Sequence, residues 1–153
     1  MTITYDEIRS RMYMSIDDPN LLMQCKQECN DEFFKEQLSA SLGYSDFISR
    51  TTSIELDDTL QTIDVELKIT ANELYDKQFI LNVISSTIGI LWLEPQLKSR
   101  VNLSQFFGGK EQKFYAQSSH IDSISSLFDK FLKIRARYIG DNGAYFNSYL
   151  QEE

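Results

Sequence analysis

The residue pair best suited to acid–base chemistry is His120 with Asp122, because His120 is the only histidine in the chain. A carboxylate can orient an imidazole that then acts as a general base. However, His120 directly follows Ser119, which is predicted to be a helix N-cap, and polar residues are common at that position. Neither cysteine is close to it in sequence. We therefore expect no catalytic role for His120 and interpret the chain as a non-enzyme.

Cys25 and Cys29 are the only cysteines, and they lie four residues apart on a predicted helix. Adjacent turns of one helix hold the two Cβ vectors parallel and too far apart for a disulfide. Two cysteines and one histidine also fall short of the four ligands of a structural zinc site. The pair is therefore predicted to be two buried free thiols, as expected for synthesis in a reducing compartment.

The segment Gly108-Gly109-Lys110 resembles part of a phosphate loop, but the complete Gly-x-x-x-x-Gly-Lys-(Ser/Thr) frame is missing. No parallel βαβ pattern surrounds it, so the glycines indicate a tight turn. The acidic pairs at 17–18 and 57–58 lack the alternating ligands of a calcium loop and indicate a helix cap and a turn. The sequence thus predicts no metal site and no cofactor.

The charge of the chain is acidic overall and unevenly distributed. The net charge is −8, which argues against a protein that coats duplex DNA. Residues 1–75 carry 15 acidic and 6 basic side chains, whereas residues 76–153 carry 8 and 9. This asymmetry is explained either by chance and solubility or by a head-to-tail contact between the acidic half of one subunit and the neutral-to-basic half of the next. Contacts of the second kind generate rings.

The basic side chains late in the last predicted helix fall on several of its faces, which favours a solvated surface over a nucleic-acid patch. These residues are Lys130, Lys133, Arg135 and Arg137.

No segment predicts export or membrane insertion. The first residues lack the basic and apolar regions of a signal peptide. The longest apolar run, residues 79–93, is interrupted by polar residues and is short for a bilayer. We expect a protein that is made in the cytoplasm and has no membrane partner.

In the N-terminal half, capping signals and periodicity predict two helices and a β-hairpin. The Thr4–Glu7 capping box opens a helix over 5–12, and Asp18-Pro19 opens a second helix over 19–42 that ends at Gly43. From residue 51 to 69 apolar and polar residues alternate, with a turn near 57–59, which is typical of a hairpin.

In the C-terminal half, a second capping box at 70–73 opens the main helix, over 71–93. Pro95 predicts a turn near Glu94, followed by a short helix over 96–101 and a loop over 102–118. A final helix is predicted from Ser119 to Ile139, where glycines at 140 and 143 end it. An aromatic tail follows.

Together these elements predict a mainly α fold: one domain, 1–153, in which a helical bundle surrounds a central buried helix (about 71–93) and carries one β-hairpin (about 51–69). Its parts are a helical segment over 4–42, the hairpin, a helical segment over 70–139 and an aromatic tail over 140–153. Two surfaces are candidates for binding. One is aromatic: Phe106, Phe107, Phe114, Tyr115, Tyr138, Tyr145, Phe146 and Tyr149. The other is acidic: Asp57, Asp58, Asp64 and Glu66.

The aromatic set has two explanations. Some of these residues must belong to the core, and large amphipathic aromatics are also the residues that anchor interfaces. The sequence does not decide between the two.

The C-terminal half resembles small virion proteins encoded among the head–tail joining genes of tailed phages. In those proteins a Trp-Leu-x-Pro segment precedes a Phe-Tyr-Ser-Gln-Ala-Asn-His-like segment and a final helix. The matching positions here are Trp92, Leu93, Pro95, Phe114, Tyr115, Gln117 and His120. The chain departs from the pattern at 116–119, which read Ala-Gln-Ser-Ser.

The resemblance implies a structural virion protein of the head–tail connector, located in the neck. It implies a mainly helical subunit that forms a homo-oligomeric ring, expected to be twelve-fold, without a cofactor or catalysis. The implied partners are the portal protein and other neck or tail proteins, with genome DNA passing through as a non-specific passenger. A second hypothesis is a small acidic intracellular regulatory or inhibitory protein that binds a basic protein partner.

Overall fold

The computed structural model describes the backbone of residues 1–106 and 111–150, and the side chains of residues 1–99 and 120–142. Within these ranges the chain forms three β-strands and six α-helices. The order is β1 (Thr2–Thr4), α1 (Tyr5–Met14), α2 (Pro19–Glu28), α3 (Asp31–Leu42), α4 (Ser45–Ile48), β2 (Thr51–Asp57), β3 (Thr62–Leu67), α5 (Glu73–Phe106) and α6 (Glu111–Leu150). The predicted mainly α class with one hairpin and a central helix is confirmed.

Helix α1 begins at the predicted capping box. The Glu7 amide donates to Thr4 Oγ1 at 3.2 Å, and the Thr4 amide donates to Glu7 Oε2 at 2.9 Å. Two amides that the helix cannot satisfy are paired in this way. Ile8 and Met12 are fully buried one turn apart, so the helix docks on the core through a single face.

The prediction of one helix over 19–42 is wrong, because the chain breaks between α2 and α3. Cys29 leaves the helical conformation, and the Asn30 side chain caps α3 by accepting from the Phe33 amide at 2.9 Å. The polar run Asn30-Asp31-Glu32 therefore acts as a new helix start. The helical spacing of apolar residues continues across this polar run, because α2 and α3 both pack on the same core. Gly43 ends α3 as predicted, although its backbone stays in the right-handed region.

The predicted hairpin is confirmed as β2 and β3, and the N-terminus adds a strand that the sequence analysis missed. The sheet order is β1-β3-β2, antiparallel throughout, with Ile3 opposite Ile63 and Ile54 opposite Val65. A three-residue strand is too short for its alternation to be recognised. Gln61 has a positive φ of 53° in the turn between β2 and β3.

The predicted turn at Pro95 is wrong, because helix α5 continues through this residue to Phe106. Side chains of α2 hold both sides of the proline. Trp92 Nε1 donates to Glu28 Oε2 at 2.8 Å, and Gln96 contacts both Gln24 and the Trp92 carbonyl. These tertiary contacts outweigh the single backbone hydrogen bond that proline removes. The start of α5 is capped by Asn72, which accepts from the Tyr75 amide.

The predicted loop over 102–118 and helix end at Ile139 are also wrong. Residues 102–106 and 111–118 are helical, while 107–110, with the predicted Gly108-Gly109-Lys110 turn, lie outside the described residues. Helix α6 also runs through Gly140 and Gly143. Two glycines cost a helix about 1 kcal/mol each. Asn142 is buried, so contacts beyond Gly140 continue to stabilise the helix.

The core is centred on α5, whose side chains from Phe79 to Leu93 are nearly all buried. Helix α6 packs along it. A Cβ atom on Gly89 would lie 2.6 to 2.7 Å from the Phe131 ring, so the glycine allows the close approach of the two helices. The stretch Glu73–Ser99 is long and apolar enough to cross a membrane, but 72% of its most apolar window is buried inside the protein. The position of α5 in the centre of the core accounts for its apolar composition.

Candidate interaction surfaces

The outward face of the sheet is acidic. Glu55 of β2 lies directly opposite Asp64 of β3, and Asp57 and Glu66 alternate onto the same side. All four side chains are exposed, and none of the three strands contains a lysine or an arginine. We call these four residues the acidic face. Three of them, Asp57, Asp64 and Glu66, belong to the predicted acidic surface, and the structure adds Glu55.

Some of these carboxylates also have local structural roles. Asp64 accepts from the N-terminal amine of Met1 at 3.0 Å, and Asp57 Oδ1 accepts from the amides of Thr59 and Leu60 in the turn. Glu66 Oε2 lies 3.3 Å from the Ser53 hydroxyl. Apart from the chain terminus, these partners carry no positive charge, so the acidic face remains negative.

Asp58, the fourth predicted acidic residue, has a different role. The Tyr5 hydroxyl donates to Asp58 Oδ1 at 2.6 Å, which ties the hairpin turn to the start of α1. Burial, together with this bond to an anion, raises the pKa of Tyr5 well above its usual range. Asp58 is therefore primarily a structural residue.

The outer edge of β2 is open in the part of the chain that the structure describes. Val65 and Met1 exchange both backbone hydrogen bonds at 2.9 Å, so Val65 directs its polar groups toward β1. Directions alternate along an antiparallel ladder, so Asp64 points toward β2 and pairs with Glu55. Ile54 and Leu56 consequently direct their N–H and C=O groups away from the sheet.

Apolar side chains lie beside this edge. Ile54 and Leu56 share the core-facing side of the sheet with Ile63 and Val65, but β2 extends past the core. Leu56 is 44% exposed, and Leu60 in the turn is 70% exposed. Within the described part of the chain, the edge thus combines unpaired backbone groups, an apolar side and an acidic side.

A second polar cluster joins α6 to the N-terminal half. The Arg135 guanidinium donates to both carboxylate oxygens of Asp46, at 2.5 and 2.6 Å, and to Thr87 Oγ1 at 2.8 Å. It also stacks 4.9 Å from the centre of the Tyr44 ring. The hydrogen bonds from Arg135 hold the pKa of Asp46 below its usual range.

This cluster corrects one prediction. The sequence predicts that Arg135 lies on a solvated surface, but its side chain is only 14% exposed. Lys130 forms an ion pair with Asp17 at 3.0 Å, while Lys133 and Arg137 are exposed as predicted. The bidentate geometry and the three partners make Arg135 a structural residue that fixes α6 on α4 and α5.

A cleft of about 430 Å³ lies between the α1–α2 connection and α6. It is lined by Asp17, Asp18, Asp122, Lys130, three serines and Leu127. His120 is half-buried in the interior of α6, nine residues after the start of that helix, and not beside an N-cap. No group of three or more potential metal ligands occurs among the described residues.

The two cysteines are free and buried, as predicted. Their Sγ atoms are 3.6 Å apart across the end of α2. The hydrogen bond between the two thiols and their burial raise the pKa of Cys25. The thiol form therefore predominates, and the pair contributes to packing.

The predicted aromatic surface lies almost entirely outside the described side chains. Only Tyr138 is described; it is partly buried and packs against the core. Of the residues that carry the virion-protein resemblance, Trp92 and Leu93 are buried in α5. Core packing is a sufficient explanation for both.

Comparisons with protein-family models, with curated proteins and with solved structures give no match for this chain.

Sequence reasoning found the acidic residues of the hairpin but missed the open edge. The edge depends on strand order, since a hairpin alone does not reveal which strand will be covered. The signal that could have identified it is the weak alternation of β2 compared with β3, because an edge strand that extends past the core needs fewer buried residues.

Proposed function

We propose that this chain is a structural virion protein of a phage head–tail connector, in which copies form a ring between portal and tail as an adaptor. The observation that carries the proposal is the acidic face, four exposed carboxylates on strands without any lysine or arginine. Like charge on the wall of a conduit keeps a moving DNA duplex from binding to it.

The helical part of the subunit suits this role. Helix α5 has 34 residues and α6 has 40, which correspond to lengths of about 51 Å and 60 Å. Among the described side chains, 1–99 and 120–142, the buried apolar residues of these two helices lie mainly between Phe79 and Leu93 of α5 and between Ile124 and Phe131 of α6. In the proposed ring, helices of this length give neighbouring copies long sides along which to pack.

The test is the mass of the purified protein in solution, measured by size-exclusion chromatography with light scattering, alone and with portal protein. The proposal predicts a closed ring, expected to contain twelve subunits, that is visible by negative-stain microscopy. A protein that stays monomeric at high concentration and does not bind portal would contradict it. Variants of Glu55 and Glu66 to lysine should leave the ring intact but cause it to retain DNA.

The acidic face also favours a second candidate, a small regulatory or inhibitory protein that binds a basic partner. Complementary charge accelerates the association of such partners. High salt screens the charges and therefore slows association. This candidate predicts a one-to-one complex and no ring. Stoichiometry therefore separates it from the connector proposal.

A further inference from the structure

We infer that the outer edge of β2 is a docking site for an extended segment of a partner protein that alternates basic and apolar residues and adds to the sheet as a fourth, antiparallel strand. This inference does not depend on the connector proposal, because it follows from the edge itself.

The edge has the backbone groups that strand addition requires. Ile54 and Leu56 lie opposite Val65 and Ile63 in the pairs that exchange no hydrogen bonds, so their N–H and C=O groups point outward. Unpaired groups of this kind are a template for another strand. β2 is seven residues long and contains neither proline nor lysine, the residues that most often block such an edge.

The two sides of the edge define the chemistry of the partner. A strand added beside β2 places alternate side chains next to Glu55 and Asp57 on the acidic face, where lysine or arginine would form cross-strand ion pairs. The remaining side chains lie next to Ile54 and to Leu56, which is 44% exposed and would become covered. The fitting sequence therefore alternates basic and apolar residues.

A second copy of β2 is a poorer partner for the same edge. An antiparallel pair of β2 strands centred on Glu55 would place the two Glu55 carboxylates directly opposite each other. Like charges at this position are destabilising. The acidic residues thus oppose self-association at the edge, a common protection of edge strands, while they attract a basic segment.

The experiment uses the full chain and fluorescent ten-residue peptides, with fluorescence anisotropy at 0.15 M salt as the readout. The first peptide alternates lysine and valine, the second has the same composition in two blocks, and the third alternates glutamate and valine. We expect the first to bind at least tenfold more tightly than the second, and the third not to bind. Equal affinity of the first two peptides would overturn the inference, since it would indicate non-specific charge attraction.

N-methylation of the alternating peptide tests the geometry directly. In an antiparallel pair, the peptide residues that exchange hydrogen bonds with Ile54 and Leu56 lie on the same side of the sheet as those two, so they are the valines. Methylation of the valine amides should abolish binding, whereas methylation of the lysine amides should preserve it. Equal loss of binding by the valine-methylated and the lysine-methylated peptides would exclude strand addition.

Variants of the protein give a third test. Glu55→Gln with Glu66→Gln should weaken binding of the lysine–valine peptide about fivefold to tenfold. The matched control, Glu32→Gln with Glu36→Gln, removes the same charge from exposed positions of α3 and should leave affinity unchanged. If both pairs weaken binding equally, the acidic face is not the site.

Discussion

Helix α5 and strand β2 represent opposite extremes of this molecule. From Phe79 to Leu93, α5 is enclosed on nearly every side, and its buried hydroxyls bond to its own backbone, as Ser86 and Thr87 do to Val83. β2 is exposed on both faces over most of its length and leaves backbone groups of Ile54 and Leu56 unpaired in the described part of the chain. The comparison indicates that α5 stabilises the fold, while β2 is available for binding.

The largest effect is expected where α5 and α6 meet. Phe131→Ala removes a fully buried ring that lies over Gly89 and should lower the free energy of unfolding by about 3–5 kcal/mol. The counterpart, Leu56→Ala, removes a side chain that is 44% exposed and should cost less than about 1 kcal/mol. Urea unfolding followed by circular dichroism measures both. Similar losses would show that β2 is as important to stability as α5.

A smaller loss is expected at the cluster that fixes α6. Arg135→Met removes the two bonds to Asp46 and the bond to Thr87, and should cost about 1–3 kcal/mol, since hydrogen bonds to charged groups contribute at that level. The control Arg137→Met removes an exposed arginine 3.9 Å from Asp141 and should change stability by less than about 0.5 kcal/mol. Equal losses would mean that the Arg135 cluster contributes no more to stability than an exposed arginine does.

The ion pair between Arg135 and Asp46 predicts that the stability of the protein falls at acid pH. The pKa of Asp46 is lowered by Arg135, and that of Glu7 is lowered by Lys77 and Thr4. A carboxylate whose pKa is lowered by folding stabilises the folded state fully at pH values above its ordinary pKa, which is 3.8 for Asp46. This stabilisation is lost as the pH falls from there through the lowered pKa of the folded state. Asp46→Asn should therefore flatten the decline in stability between pH 5 and pH 2. An unchanged decline would argue against this ion pair.

A still smaller effect is expected at the break between α2 and α3. Asn30→Ala removes the cap on the Phe33 amide and should cost about 1 kcal/mol, whereas Asn30→Ser should retain most of the stability. Thermal unfolding of the two variants checks this. If Asn30→Ala were neutral, the cap would not account for the break in the predicted helix.

The sequence predicted elements whose signals are local. Thr4 and Glu7 cap α1 as expected, and alternation around Ile63 and Val65 identified β3. It failed where distant contacts decide the structure. Trp92 and Gln96 contact α2 on either side of Pro95, where α5 stays helical, and α6 continues through Gly140. Local rules for proline and glycine could not anticipate either outcome.

The candidate surface was predicted in part for the same reason. Asp57, Asp64 and Glu66 were recognised as an acidic set, because charge is visible in the sequence. Glu55 was not included, since its place opposite Asp64 depends on the strand register. The roles of Asp58 and Arg135 were also missed, because each depends on a partner far away in the sequence.

Residue-resolved amide hydrogen exchange in β2 of the isolated protein tests the central claim most directly. An open edge predicts alternation: the amides of Ile54 and Leu56 exchange rapidly, while those of Ser53, Glu55 and Asp57, which face β3, are protected. On addition of the lysine–valine peptide, Ile54 and Leu56 should become protected as well. Uniform protection along β2 without any peptide would contradict the account, because it would show that the edge is already covered.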